Sequence, residues 1–167
     1  MAVGFDCGTT NSLISVVSRD RAIDVLDDTG LPFPSVVRYE GEQVVVGAEA
    51  KRTMDVVGIG VHGRTVRSPK WLLGEESVNV GGVERSPVDI VAEVVRHVKS
   101  SAVAGTHAGV LKGVERAVVT IPVSMNGPRR AALRDAFRLA DIGIVQYVHE
   151  PLAALYGYVR GHDDSDG

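Results

Sequence analysis

This sequence of 167 residues has only one cysteine, and it lacks both long apolar runs and an excess of positive charge. The single cysteine, Cys7, excludes an internal disulfide framework and favours a reducing compartment, where we expect it to pack as a small apolar side chain. No apolar run approaches the roughly 20 residues that span a bilayer, and the N-terminus lacks the basic-then-apolar layout of a signal peptide. We therefore expect a cytoplasmic protein that does not enter a membrane.

The charge balance and the histidines argue against two further classes of site. Lys and Arg total 18 against 21 for Asp and Glu, and the resulting net charge of −3 argues against nucleic acid as the main partner. The five histidines are scattered without the spacing of zinc ligands. What the chain does have is 44% hydrophobic residues, which at this length suits one folded domain with a buried core.

The first third of the chain is predicted to be mainly β structure. Apolar segments rich in β-branched residues alternate with Asp-, Gly- and Pro-containing turns, and the short first connections predict an antiparallel meander. The predicted strands are Val3–Cys7, Leu13–Ser18, Ala22–Leu26, Val36–Tyr39 and Gln43–Val46. A short helix is predicted at Ala48–Met54, residues 55–63 show no period, and Gly81-Gly82 predicts a hairpin turn.

The second half alternates helices with apolar strands. Ser86 is a suitable N-cap for a helix that starts at Pro87 and runs to about Val103. Further predicted elements are a loop at Gly105–Gly113, strands at Ala117–Ile121 and Ile144–Val148, helices at Gly127–Leu139 and Pro151–Val159, and a disordered tail from His162. The buried stripe of the helix at Gly127–Leu139 is predicted to be Ala132, Leu133, Ala136, Phe137 and Ala140. This alternation predicts parallel strand pairing and an α/β layer fold.

One tract combines features that suit an anionic ligand. Gly4-Phe5-Asp6-Cys7-Gly8-Thr9-Thr10-Asn11-Ser12 lies between two apolar strands and predicts a hairpin turn. Gly8 lets the backbone approach a ligand closely, and Thr9 and Thr10 offer N–H groups and hydroxyls to phosphate oxygens. Asp6 beside a phosphate makes sense if a cation such as Mg²⁺ lies between them. The alternative is an ordinary hairpin turn with an Asx-type hydrogen bond.

Several segments together carry a resemblance to a known family. They are the tract at 4–12, Ala117-Val118-Val119-Thr120-Ile121-Pro122-Val123 with Arg129-Arg130-Ala131-Ala132-Leu133, and His149-Glu150-Pro151-Leu152-Ala153-Ala154-Leu155-Tyr156-Gly157-Tyr158. Two weaker segments are Pro34-Ser35-Val36-Val37 with Val46-Gly47-Ala48-Glu49-Ala50-Lys51, and Lys70-Trp71-Leu72-Leu73-Gly74. In this order they resemble the seventy-kilodalton heat-shock chaperones of the DnaK type.

The resemblance implies an α/β fold of the actin-like ATPase class. The chain would be its first lobe, a ribonuclease-H-like core at about residues 1–30 and 87–160 with a small α+β subdomain inserted at about 31–86, followed by a polar tail at 161–167. It would stop before the family's second phosphate loop, and nothing in the sequence matches the adenosine-binding motif or the substrate-binding domain. Such a fragment is expected to bind ATP or ADP weakly at most, and to show little or no turnover alone.

The same resemblance implies roles for individual residues. Gly8, Thr9, Thr10 and Asn11 would form the phosphate-binding loop, with Mg²⁺, and K⁺ as a further candidate ion. Asp6 and Glu150 would hold the hydrated Mg²⁺, and Lys70 would act on the γ-phosphate, so that Lys70, Asp6 and Glu150 form the catalytic set. Pro122 and Arg130 resemble the pair that relays nucleotide state between domains.

Each of these residues also has a simpler interpretation. Lys70 could be a solvated lysine, Glu150 a helix N-cap and Arg130 a surface residue of an amphipathic helix, and Trp71 more readily packs in a core or lobe contact than under a base. Leu152, Asp141-Ile142-Gly143 and Ser68-Pro69 depart from the family pattern, and the inserted subdomain is shorter than usual. These departures predict a divergent bacterial relative.

Three functions are compatible with the sequence. The first is the N-terminal lobe of an ATP-hydrolysing, stress-response chaperone whose full protein works with unfolded peptides, a J-domain co-chaperone and an exchange factor. The second is the lobe of an actin-like small-molecule kinase, and the third is a non-enzymatic, one-lobe interaction module. An exposed cleft face could also support a dimer.

Overall fold

The computed structural model describes residues 2–18, 21–54, 58–105 and 113–155, and these residues form a mixed α/β fold with several sheets. Their strands are β1 (Ala2–Cys7), β2 (Asn11–Ser18), β3 (Arg21–Val25), β4 (Phe33–Pro34), β5 (Val36–Glu40), β6 (Gln43–Val46), β7 (Gly60–His62), β8 (Thr65–Arg67), β9 (Val78–Val80), β10 (Val83–Arg85), β11 (Arg116–Ile121) and β12 (Gly143–His149). Their helices are α1 (Ala48–Arg52), α2 (Pro87–Ala104) and α3 (Gly127–Leu139), with a 3-10 turn at Pro69–Leu72 and further helix at 150–155.

The main sheet joins the two halves of the chain. Its strand order is β12-β11-β1-β2-β3, and β4 pairs with the start of β2. The pairs β1–β2 and β2–β3 are antiparallel, whereas β1–β11 and β11–β12 are parallel. Both the predicted meander and the predicted parallel pairing are therefore confirmed. The carboxyl ends of β1, β11 and β12 consequently lie at one edge of the sheet.

One face of this sheet carries the helices and the core. Along β1 the side chains alternate, so that Val3, Phe5 and Cys7 are buried while the intervening residues are exposed. Helix α2 buries Ile90, Val91, Val94, Val95 and Val98. In α3 the predicted stripe is confirmed for Leu133, Ala136, Phe137 and Ala140, and Ala132 is half-buried.

Helix α2 begins with the predicted cap, and this gives a first test. The Ser86 hydroxyl accepts a hydrogen bond from the Val88 backbone N–H at 3.2 Å, with Pro87 in the first helical position. Replacing Ser86 by alanine is expected to lower the free energy of unfolding by about 1 kcal/mol, because one N-terminal N–H loses its acceptor. Urea denaturation followed by circular dichroism measures the change. Ser100→Ala, at an exposed position within the same helix, is the control and should cause no loss.

A second, smaller sheet lies between β4 and α2 in the chain. Its order is β6-β5-β8-β7, all antiparallel, and β9 and β10 form a separate hairpin. The hairpin turns at Gly81 and Gly82, whose φ angles of 62° and 90° lie in the left-handed region, as a two-residue turn of this kind requires. The predicted limits of the core and of the inserted subdomain, at 31–86, stay a prediction.

Some elements differ from expectation or lie outside the described residues. The segment left unassigned at 55–63 contains β7, and the final helix already includes residue 150. Most of the predicted loop at 105–113, the last helix beyond residue 155 and the polar tail are outside the described residues. Among the helices of the described chain, none combines the length and apolar character that crossing a membrane requires.

Candidate functional site

Asp6 lies at the carboxyl edge of the parallel strands, on the sheet face opposite the helices. Because its neighbours Phe5 and Cys7 point into the core, the alternation of β1 turns Asp6 outward. Its carboxylate accepts a hydrogen bond from the Thr120 hydroxyl of β11 at 2.6 Å. The partner is thus a residue on a neighbouring strand rather than the backbone of the hairpin turn. In open α/β sheets this edge is where ligands usually bind.

The loop that follows β1 is tightly closed. Cys7 pairs with Ser12, and a Cβ on Gly8 would stand only 2.2 Å from the Asn11 carbonyl oxygen, so only glycine fits at residue 8. Thr9 is half-buried, while Thr10 and Asn11 are exposed. The loop therefore places Thr9, Thr10 and Asn11 at the same edge of the sheet as Asp6.

Buried Ser35, which the sequence analysis did not single out, holds this loop in place. Its hydroxyl donates to the Gly8 carbonyl at 3.2 Å and lies 3.0 Å from the Ser12 hydroxyl. Its backbone N–H donates to the Thr10 carbonyl at 2.9 Å, and its own carbonyl accepts from the Ser68 N–H at 2.9 Å. Ser35 thereby connects the loop after β1 to the turn that carries Lys70.

Lys70 is buried, with 5% of its surface exposed, and so is not a solvated surface lysine. It lies in the 3-10 turn at Pro69–Leu72, which follows Ser68 in a left-handed conformation with φ of 58°. Its ammonium Nζ is 3.5 Å from the Oε1 atom of Glu150, whose side chain is 47% exposed. Glu150 directly follows β12, so Asp6 and Glu150 lie at the same edge of the sheet, at the ends of the two strands that flank β11, and Lys70 contacts Glu150.

Burial and the neighbouring charges of Lys70 and Asp6 together set the pKa of the Cys7 thiol. Burial raises the pKa of the Cys7 thiol to about 11, against the opposing effect of the Lys70 charge and with a smaller contribution from Asp6. The thiol is therefore neutral near pH 7, and Cys7 packs in the core as an apolar side chain.

Pro122, which follows β11, and Arg130 of α3 are linked through the backbone of Met125. The Met125 N–H donates to the Pro122 carbonyl at 3.1 Å, and Arg130 Nε donates to the Met125 carbonyl at 2.9 Å. The Arg130 carbonyl in turn accepts from the Tyr147 hydroxyl of β12 at 2.9 Å. Arg130 is half-buried and links the proline turn to β12.

Arg129 is a further residue that the sequence analysis did not assign. Its guanidinium Nη2 lies 3.3 Å from each of two consecutive carbonyl oxygens, those of Lys70 and Trp71. The same guanidinium is 5.9 Å from the centre of the Trp71 ring. The only signal in the sequence was its place in the first turn of an amphipathic helix, which says nothing about the partner.

The donor set fits a hydrated Mg²⁺ better than a metal held by protein alone. Within the described residues, no three His, Cys, Asp or Glu side chains lie close enough to hold a metal ion. Asp6 and Glu150 supply hard oxygen ligands, and Mg²⁺ characteristically uses one or two carboxylates together with phosphate and water. The closed loop at Gly8 and the buried Lys70 ammonium suit the phosphate groups that would complete such a shell.

A separate groove lies away from these residues. It has a volume of about 1220 Å³ and runs between residues 24–34, α1 and the end of α2, and it shares only Asn11 with the loop after β1. His97 lines it, and burial lowers the pKa of this imidazole, so that it is neutral near pH 7. The groove thus does not include Asp6, Lys70 or Glu150.

Comparison with known proteins gives consistent matches. A family model described as "Hsp70 protein" matches residues 2–79 and 75–166. The chain is 34% identical over 166 residues to the chaperone protein DnaK of Mycoplasma mycoides subsp. mycoides SC, covering 98% of this chain and 27% of that protein. It is 31% identical to the chaperone protein DnaK of Mycoplasmoides gallisepticum, covering 97% of this chain and 27% of that protein. The chain therefore spans about a quarter of the length of these relatives.

Proposed function

Because the chain belongs to the heat-shock protein 70 family, we propose that it forms the nucleotide-binding first lobe of an actin-like ATPase. Its sheet order, with three antiparallel strands followed by two parallel ones, supports a ribonuclease-H-like core for this lobe. The ligand is ATP or ADP with Mg²⁺, and K⁺ is a further candidate ion. In a full-length protein, located in the cytoplasm, the nucleotide cycle would control the binding of unfolded peptides, with a J-domain co-chaperone and an exchange factor as partners.

One observation supports this function above others, namely that Asp6, the loop after β1 and Glu150 lie at one edge of the sheet, where Lys70 contacts Glu150. Lys70 comes from the inserted segment and Glu150 from the end of β12, yet their charged atoms are 3.5 Å apart. Removing an ammonium from water is costly unless a negative partner compensates. Glu150 compensates Lys70 only in part, because the contact is long and the carboxylate is half in solvent. A phosphate group at this place would supply the missing negative charge.

The residues of the site divide the work of phosphate binding. Backbone N–H groups and hydroxyls of Thr9 and Thr10 donate to phosphate oxygens, and Gly8 lets them come close. Lys70 stabilises the charge that develops on the terminal phosphate and positions the attacking water. Asp6 and Glu150 orient the water shell of Mg²⁺, which when bound offsets the negative charge of the phosphates. Asp6 is itself oriented by the Thr120 hydroxyl.

Replacing Asp6 by asparagine tests this function. The amide oxygen can still accept the hydrogen bond from Thr120, but the charge that holds the hydrated cation is lost. We expect the affinity for Mg·ATP and Mg·ADP to fall by about tenfold or more, since interactions of a charged group are worth about 1.5–3 kcal/mol. Isothermal titration calorimetry of this chain measures the affinity.

The control is Asp24→Asn, which removes the same charge from a carboxylate that also accepts a cross-strand hydroxyl bond. Asp24 lies on β3 and accepts from Ser15, away from the ends of β1 and β12. Its replacement should leave the affinity for Mg·ATP unchanged. A folded wild-type chain that binds neither nucleotide, or an Asp6→Asn variant that binds as the wild type does, would overturn the proposal.

A further inference from the structure

Arg129 contacts the backbone of the turn that carries Lys70. Its Nη2 donates to the Lys70 and Trp71 carbonyls, each at 3.3 Å, from the first turn of α3. The Asn126 side chain caps that turn by accepting from the Arg129 N–H at 3.1 Å, which fixes where the arginine side chain starts. Arg129 is 59 residues from Lys70 and 58 residues from Trp71 in sequence, so this is a tertiary contact.

The Arg129 side chain packs against Gly74 and lies near Trp71. Gly74 has φ of 108°, and a Cβ at this position would stand 3.5 Å from Arg129 Cγ, so the aliphatic stem lies directly against the glycine. The guanidinium lies 5.9 Å from the centre of the Trp71 ring, within the range of a cation–π contact. The aliphatic stem, the charge and the Nη2 donor of Arg129 therefore face the segment from Lys70 to Gly74.

The turn at Pro69–Leu72 has two backbone hydrogen bonds of its own, from the Trp71 N–H to the Ser68 carbonyl at 3.0 Å and from the Leu73 N–H to the Lys70 carbonyl at 3.3 Å, and it packs against α2 and β7. It is a single 3-10 turn, and Ser68 at its start makes no side-chain capping bond. Short 3-10 turns have poor hydrogen-bond geometry and depend on their surroundings. Ser35 holds the turn at its beginning through the Ser68 N–H, and Arg129 holds the two residues that follow Pro69.

We propose that Arg129 is a positioning residue for Lys70. By bonding the carbonyls of Lys70 and Trp71, it fixes the turn so that the Lys70 ammonium lies beside Glu150 at the end of β12. The importance of this for nucleotide binding rests on the function proposed above. The positioning itself does not, because it can be measured without nucleotide.

Trp71 gives a direct readout, since it is the only tryptophan of the chain. In Arg129→Ala we expect acrylamide to quench its fluorescence more strongly, and the side-chain NMR signal of isotope-labelled Lys70 to move. Arg129→Lys, which keeps the positive charge but not the planar guanidinium that lies near the Trp71 ring, should lie between Arg129→Ala and the wild type. Arg138→Ala, at an exposed position of the same helix, should leave both signals unchanged.

Nucleotide affinity then separates positioning from a general structural role. In Arg129→Ala the affinity for Mg·ATP should fall by about tenfold, the usual worth of a charge-assisted hydrogen bond. In a Lys70→Ala background the same Arg129 substitution should have no further effect, because there is no ammonium left to place.

The outcomes distinguish this inference from the proposed function. If the wild type binds no nucleotide, the proposed function fails, while the Trp71 and Lys70 signals still decide whether Arg129 positions the turn. If the wild type binds nucleotide and a folded Arg129→Ala leaves quenching, the Lys70 signal and affinity unchanged, the positioning role is overturned. If Arg129→Ala does not fold, the same comparison is made with Arg129→Lys. If Arg129→Ala lowers nucleotide affinity by the same factor in the Lys70→Ala background as in the wild type, Arg129 has a structural role only.

Discussion

Replacing Phe137 by alanine is expected to lower the free energy of unfolding by about 3–5 kcal/mol. The side chain is fully buried in α3 and packs edge-to-face on Phe5, with ring centroids 4.8 Å apart and planes at 75°. Alanine would remove this aromatic contact and leave a cavity between α3 and β1. Since a domain of this kind is stable by only about 5–15 kcal/mol, the loss is a large fraction of the total.

Urea denaturation followed by circular dichroism measures this effect. Leu139→Ala is the matched control, because Leu139 lies on the same helix but is 42% exposed, and its replacement should change stability by less than about 0.5 kcal/mol. A loss below about 1 kcal/mol for Phe137→Ala would contradict the packing of α3 against β1. Because β1 ends at the residues that precede the Gly8 loop, that result would also weaken the geometry described for the site.

The long elements could be predicted from sequence because their signals are local and repeated. The helix α3 was predicted with the bounds that the structure shows, since basic and apolar residues alternate along it and five apolar positions define its buried face. The same holds for α2, whose start is marked by Ser86 and Pro87. In both helices the tertiary packing agrees with the local preference.

Several short elements could not be predicted, because three or four residues are too few to show a period unless a clear turn signal such as Gly81-Gly82 lies beside them. Strands β7 and β8 have three residues each, and they are joined through Gly63, which has a positive φ of 59°. The 3-10 turn at Pro69–Leu72 depends on contacts from Ser35 and Arg129, which are distant in sequence. Such elements are fixed by tertiary contacts that a local pattern does not contain.

Residues of the site could be predicted only where a reactive or charged side chain lies in a sequence motif with a known function. Asp6 was named from the chemistry of the tract around it, Lys70 and Glu150 were named through resemblance to a family, and the functional roles of all three stay predictions. Thr120 could not be named, because its contact with Asp6 depends on the parallel register that places Phe5 opposite Val119. The register of two strands more than 100 residues apart is not visible in either strand.

Replacing Gly8 by alanine is expected to abolish measurable Mg·ATP binding and to lower stability by about 1–3 kcal/mol or more. The added Cβ would stand 2.2 Å from the Asn11 carbonyl oxygen, a backbone atom that cannot move unless the loop itself opens. The bonds that Ser35 makes to the Gly8 and Thr10 carbonyls would then be strained or lost. The backbone at Thr9 and Thr10, which we propose binds phosphate, would then change its conformation.

Calorimetric titration and urea denaturation of Gly8→Ala measure the affinity and the stability, and Gly113→Ala is the matched control. A Cβ on Gly113 meets nothing within 4 Å and the residue has no positive φ, so alanine there should be neutral or stabilising by up to about 1 kcal/mol. Unchanged stability in Gly8→Ala would mean that the loop is not closed as described.

The Gly8 and Asp6 variants together separate the shape of the site from its charge. Asp6→Asn removes the charge while leaving the loop closed. It should therefore lower the affinity for ATP when Mg²⁺ is present and have little effect when Mg²⁺ is absent. Gly8→Ala keeps the charge and opens the loop, so it should weaken nucleotide binding with or without Mg²⁺. If both variants lost affinity to the same extent under both conditions, the loop and the carboxylate would not act separately, and the division of work proposed for the two would be wrong.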